Sequence, residues 1–418
     1  MKKLYITFIL SALGLLVSCD SSQKSVGDQS IDVASAMSDI REIKASEYFK
    51  QLRYVALETS DSCLVGGNPS VYLFDDKILI STREECFLFD QQSGRFIRKI
   101  GHIGNDSKGY RNAECQIVNE SDGLIYFPGF GTELVCYNTD GLFIGRIPLP
   151  ITNKDFTMLD YTYLNKDTLA GFYHNPTGNE KNRLIFFTKT GERIDELPNR
   201  QESPSFDISK IEVFNGEGVT VSYTPAAAKG MLILSDKDPE TVSTLFMKYA
   251  FWRLNQTTYF KEIYNDTIFR IEGTTLIPDR YIDLGEYHWP YAKRFDRKQD
   301  KNIFITQCLE NEDLLLFRFI TKLYDEDGRK QYNAIYNKVN QTLTIGDLTK
   351  GITDDITRFL PLQPLYVSPV TGELAGIIPA AKVCEWFEDN NQTSTLPESI
   401  RLLKNTTEED NPVIVLMN

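Results

Sequence analysis

The 418 residues carry 58 acidic against 45 basic side chains, a net charge of −13, and 12% of them are aromatic. A surface that acidic repels phosphate backbones and anionic headgroups, which argues against nucleic acid as a partner and against membrane adhesion by charge. Recurrent Asp-Gly, Asn-Gly, Ser-Gly and Thr-Gly turns, 21 Tyr, 25 Phe and few helical patterns predict an all-β body.

In chain order the first segment is a leader. Lys2 and Lys3 precede an apolar run from Leu4 to Val17, then Leu16-Val17-Ser18-Cys19. The run falls short of the ~18 apolar residues a membrane span needs and fits a secretory signal peptide over residues 1–18. Its last four residues resemble a bacterial lipobox, which implies lipidation of Cys19, palmitate included, and a membrane link through that lipid. Residues 19–47 are rich in Ser, Asp and Lys and read as a lipidated, flexible tether, with a short helix around 34–43.

The main body is expected over residues 48–418. A strand–turn–strand phrase occurs three times, at Phe87–Ile100, Leu134–Ile147 and Leu184–Leu197, its turn closed by Gly94, Gly141 and Gly191. These glycines lie 47 and 50 residues apart, a spacing found in propeller blades and solenoids, whose units bury their faces only by stacking. The first unit is read as Tyr54–Leu57 with four strands between Val71 and Ile100, the second as 113–149 and the third as 156–198. The repeat blurs beyond Pro204, where 205–286 fits one enlarged blade or two ordinary ones. A further unit spans Ile303–Ile345, with short helices at Ala380–Phe387 and Pro397–Lys404. The apolar Val413–Met417 then suits ring closure against the other end of the domain. The expected fold is a six-bladed β-propeller of four-stranded antiparallel blades, with seven blades as the alternative, behaving as a monomer.

Four phrases in order carry a resemblance: Leu57-Glu58-Thr59, Gly94–Gly101, Tyr264-Asn-Asp-Thr-Ile268 and Asp410-Asn-Pro-Val-Ile-Val415. Together they resemble a family of six-bladed β-propeller lipoproteins from anaerobic Gram-negative gut bacteria, similar to NHL-type propellers and without an assigned activity. The resemblance implies a lipid-anchored cell-envelope protein, most simply at the outer membrane. Members follow the first repeat with a Gly- and Pro-rich stretch ending in Glu-Tyr; here Gly104–Tyr110 lacks the central Gly-Pro.

Candidate chemistry is sparse. The chain has three histidines, His102, His174 and His288, and no HExxH, CxxC, EF-hand or G-x-S-x-G motif. No catalytic residue, metal ligand or cofactor is therefore assigned. Asp354-Asp355 reads as a pair of solvated loop charges. Six cysteines beyond Cys19 sit mostly in apolar runs and read as free, buried thiols. The ligand-binding candidates are Tyr287, His288, Trp289 and Tyr291, packed into one loop-like segment, together with His102 and His174. Asp167-Thr168-Leu169 and Asp266-Thr267-Ile268 match the Asp-Thr-aliphatic acceptor for O-glycosylation in such bacteria, at Thr168 and Thr267. The expected role is a binding or scaffolding module for glycan, peptide or protein. The alternative is an NHL-type lyase or lactone hydrolase with an axial metal, which needs His and carboxylate side chains converging from three or more blades.

Overall fold

The computed structural model describes residues 30–150, 160–173, 182–198, 219–220, 233–235, 242–244, 250–262, 264–293, 301–323, 325, 328–390 and 396–418. Six sheets of antiparallel strands form a β-propeller. Blade I comprises Ser70–Phe74, Lys77–Ser81, Cys86–Asp90 and Phe96–Lys99; blade II comprises Ile117–Asn119, Leu124–Pro128, Glu133–Asn138 and Phe143–Pro148. Blade III comprises Asp160–Tyr163, Thr168–Phe172, Asn182–Thr188 and Arg193–Pro198; blade IV comprises Phe251–Leu254, Thr257–Phe260, Thr267–Glu272 and Thr275–Asp283. Blade V comprises Ile303–Glu310, Leu314–Thr321, Lys330–Asn337 and Thr342–Asp347. Blade VI joins Pro364–Val367, Leu374–Ile378 and Val413–Met417 to the N-terminal strand Leu52–Ala56.

Burial explains why the middle strands read as continuous apolar runs. Each blade is covered on both faces by its neighbours, so a strand such as Leu314–Thr321 is buried at every position. The outermost strand of blade III, Arg193–Pro198, is mostly exposed and correspondingly charged. The apolar core is divided among the blade junctions. One cluster joins V to VI, another IV to V, and the others join VI to I, I to II, II to III and III to IV.

The repeated phrase is the third strand, the turn and the outer strand of blades I to III. In each copy the residue opening the turn accepts a backbone N–H through its side chain: Asp90 from Ser93 at 2.7 Å, Asn138 from Leu142 at 2.8 Å and Thr188 from Glu192 at 3.1 Å. The closing glycines have φ of +71°, +73° and +81°, the region where a side chain is strained. Gly94 has a further constraint, since a Cβ there would stand 1.8 Å from the Ala56 carbonyl oxygen of blade VI.

Ring closure follows the expectation in kind and corrects it in detail. The strand expected as Tyr54–Leu57 of the first unit spans Leu52–Ala56 and is the outer strand of the last, pairing Leu52 with Met417 through Ala56 with Val413. A clasp holds this seam. The Asn411 side chain donates to the carbonyls of Glu58 and Cys63 at 2.6 and 2.8 Å and accepts the Val65 N–H at 2.7 Å, while its own N–H donates to Thr59 Oγ1 at 2.8 Å. Two phrases of the resemblance, 57–59 and 410–415, thus meet across the seam.

Among the described residues, the stretch 205–286 contains one blade, at 251–283. A separate three-stranded sheet of Val219–Thr220, Ile233–Ser235 and Val242–Thr244 precedes it.

The expected tether to residue 47 is corrected from residue 30 onward. Ser30–Asp32 pairs parallel with the outer strand of blade IV, Arg41 N–H donates to Ile345 O of blade V, and Ile31, Val33, Ile43 and Ala45 are buried. Four apolar side chains in a polar stretch suffice to dock it, because each finds a groove between outer strands. Asp354 is likewise corrected. It is buried, accepting from the Tyr54 hydroxyl at 2.7 Å and from the Thr357 N–H at 2.7 Å, because the loop folds over blade VI. The helices fall at Ala380–Asp389 and Glu398–Arg401, and no helix among the described residues is long and apolar enough to span a membrane. Cysteines 63, 86, 115, 136 and 308 are buried thiols outside any disulfide, and Cys384 is a partly exposed one.

Candidate functional site

Each blade presents its first strand to the ring axis, and the six strands enclose a cavity of about 160 Å³. Tyr72 comes from blade I, Gln116 and Val118 from the start of blade II, Tyr161 from III, Trp252 from IV, Gln307 from V and Tyr366 from VI. Tyr72 and Tyr366 meet edge to face, 5.1 Å between centroids at 71°. Trp252 stacks on Tyr259 at 5.7 Å and 12°. Tyr72, Tyr161, Trp252 and Tyr366 each belong to or pack against an apolar cluster between blades, so the strands that build the junctions also bring these rings to the cavity wall.

The charged side chains around the cavity are bonded within the protein, save that Arg253 Nε is shut from solvent without a partner. Glu310 accepts from both terminal nitrogens of Arg280 at 2.7 and 2.8 Å, from Lys338 at 3.0 Å and from the Trp252 indole at 2.8 Å. Burial alone would raise its pKa; Arg280, Lys338 and Trp252 together overcome that and hold it below the ordinary carboxylate value. Arg253 donates to Tyr163 O and to Thr258 Oγ1, both at 2.6 Å, and lies 4.1 Å over the Tyr163 ring. Asp160 accepts the N–H groups of Tyr161 at 3.0 Å and Phe251 at 3.2 Å.

One mouth of the cavity is covered. The hairpin following the inner strand of blade VI crosses the axis: Ser368 donates to Glu120 of blade II at 2.8 Å, and Asn255 of blade IV donates its N–H to Pro369 O at 3.0 Å. Asn311 of blade V holds Gly372 O at 3.1 Å, and Gln91 of blade I holds Glu373 at 2.7 Å. Contacts to blades I, II, IV and V can be made at once only by a segment lying over the axis. Beneath it, Glu120 Oε1 is shut from solvent without a hydrogen-bond partner. Burial, with Asp75 nearby, pushes the Glu120 carboxyl well above its ordinary pKa, against the pull of Ser368.

None of the described ligand-binding candidates lies on this axis. Trp289 is buried between blades IV and V, edge-on to Tyr264 at 5.5 Å and to Phe304 at 6.0 Å, its indole donating to Lys293 O at 3.2 Å. Tyr287 and Tyr291 are half-buried beside it, and exposed His288 contacts buried Asp266 at 2.5 Å. His102 lies in the exposed loop between blades I and II, 2.6 Å from Asp106, which it holds at about 2. His174 lies outside the described residues, as does Cys19. Thr168 opens a strand of blade III, its N–H bonded to Asn165, and Thr267 opens one in blade IV, its N–H bonded to Asn265. Among the described residues no group of three or more His, Cys, Asp or Glu could hold a metal ion.

The residues that sequence reasoning missed are Tyr72, Tyr161, Trp252 and Tyr366. Each is an aromatic inside the first strand of its blade, a recurrence that phase-aligned blades would have exposed.

Fold and cavity together define a six-bladed β-propeller with an axial pocket closed at one end. The chain belongs to the family described as Domain of unknown function (DUF4934), whose model matches residues 28–418. Among solved structures it is similar to a Bacteroides fragilis NCTC 9343 protein named "Putative exported protein", at TM-score 0.60 and 14% identity, covering 93% of this chain and 98% of that one. That likeness shows the fold. U3-55K matches at TM-score 0.39 and 10% identity over 90% of this chain and 100% of its own, too distant to carry an argument. No curated protein matches the chain in sequence.

Proposed function

We propose that this chain is a lipid-anchored cell-envelope module that binds a ligand in its axial cavity. The carrying observation is the cavity itself: six strands supply aromatic and amide side chains, and the charged groups beside them are spent on internal bonds. A site of that composition is built to hold and orient a ligand rather than to transfer protons or polarise a bond. The leader ending at Cys19 and the exported name of the B. fragilis relative support export, and the lipobox supports attachment at the outer membrane. The axial-metal lyase or hydrolase reading finds less support, since His102 and His288 lie away from the axis. Glycan, peptide and protein remain the ligand classes.

Thermal-shift screening of the chain from residue 20, which retains every described element, tests the reading. A glycan or peptide that raises the melting temperature, with the gain lost in Trp252→Ala, is expected. Stabilisation by a divalent metal that chelator reverses would overturn it. Cys19→Ala is expected to release the protein from membranes; continued partitioning with membranes would refute the lipid anchor.

A further inference from the structure

We infer that the axial cavity is a blind pocket for the end of a neutral glycan, holding a single terminal pyranose ring. The inference rests on the binding reading above and names its ligand class.

Three observations converge. Blades I, II, IV and V all hold the 368–373 hairpin over one mouth, so a polymer cannot thread the ring and must present an end. The cavity of about 160 Å³ is small beside ordinary ligand pockets of roughly 300–1,000 Å³, so it suits one ring-sized unit rather than an extended segment. The third observation is charge. The end of a peptide carries an ammonium or a carboxylate, and burying either without a partner is costly. Glu310 is paired with Arg280 and Lys338, and the other two charges lining the cavity, Asp160 and Arg253, are of opposite sign, so the wall offers no net counter-charge to a peptide terminus. A neutral sugar end needs none. It needs an aromatic face for its C–H surface and hydroxyl or amide groups for its rim. Tyr72 and Tyr366, set at 71° to each other, offer a face and an edge, with Tyr161 and Gln116 on the facing blades.

The test is calorimetric titration of the chain from residue 20 with methyl glycosides of neutral hexoses and matching neutral oligosaccharides. A hexuronate, a hexosamine and blocked and unblocked dipeptides serve as the contrasting set. Saturation-transfer NMR then identifies which sugar residue of a bound oligosaccharide is covered. The expected result is binding of at least one neutral glycan, saturation strongest at a terminal unit, and about tenfold or greater weakening by Tyr366→Leu, which keeps an apolar side chain but removes the aromatic face. Tyr366→Phe, which keeps the ring, should retain most of the affinity, and His288→Ala, off the axis, should leave it unchanged. Saturation centred on internal units, or equal binding by Tyr366→Leu, overturns the inference. A charged sugar or a dipeptide binding tighter than any neutral glycan, with loss on Tyr366→Leu, overturns the ligand class while leaving the axial binding reading intact. Absence of binding by every probe overturns the inference and leaves protein as the ligand class of the axial reading.

Discussion

Replacing Asn411 by leucine removes the polar half of the ring seam while keeping the branched shape of the side chain. The amide satisfies three backbone groups: the carbonyls of Glu58 and Cys63 and the N–H of Val65. Leucine leaves all three without a side-chain partner in a site where Asn411 is 2% exposed. Each buried group left unsatisfied costs about 1–3 kcal/mol. Partial relaxation of the 58–65 loop brings the expected total to about 3–5 kcal/mol, a large fraction of a typical folding free energy. The Asn411→Asp variant should cost at least as much. It keeps the acceptor for Val65 but turns a carboxylate toward two carbonyl oxygens. Urea unfolding of the chain from residue 20, followed by tryptophan fluorescence, reads the effect. With a slope of about 3 kcal/mol/M, the midpoint should fall by about 1–1.7 M. A fall of less than about 0.3 M would refute the clasp as the element holding the seam.

Gly94→Ala and Gly141→Ala separate backbone strain from collision. Both sit at positive φ, but a Cβ at Gly94 meets Ala56 O at 1.8 Å while the nearest atom at Gly141 is 3.5 Å away. Gly141→Ala should cost about 1–2 kcal/mol and Gly94→Ala clearly more, by the same denaturation assay. Two carboxylates should respond oppositely to pH. Glu310 has a folded pKa below its unfolded value, so its contribution is present above about pH 4.3 and is lost as pH falls through the folded pKa. Glu310→Gln should therefore destabilise by about 3 kcal/mol at pH 7 and by less at pH 3. Glu120 has a raised folded pKa, so its contribution is present at low pH and is lost as pH rises. Glu120→Gln should raise the melting temperature at pH 8 and leave it nearly unchanged at pH 4; a fall at pH 8 would contradict the buried, proton-retaining carboxyl. Thiol titration of the chain from residue 20 should find six reactive groups in denaturant and, under native conditions, at most Cys384 reacting readily. Fewer than six in denaturant would signal a disulfide.

The sequence by itself determined the all-β class and the blade period, and it marked the apolar Val413–Met417 as a closing strand. Those features are local or periodic: a turn that needs Gly94, Gly141 or Gly191 at positive φ, and apolar strands repeated at blade length. It also marked Leu57–Thr59 and Asp410–Val415 as distinctive, but only contact across the seam shows that they form a clasp. The aromatic segment 287–291 drew attention because its rings are adjacent in the chain. The fold spends Trp289 on the IV–V junction, where Tyr264 and Phe304 cover it. The axial cavity could not be read in the same way. Tyr72, Tyr161, Trp252 and Tyr366 are separated by 89, 91 and 114 residues, and each looks like an ordinary strand aromatic. Which of them faces the axis depends on strand phase around a closed ring, and closure is a property of the whole chain. The same holds for residues 30–47, whose polar composition suggested a tether until the outer strands of blades IV and V supplied grooves for Ile31 and Ile43.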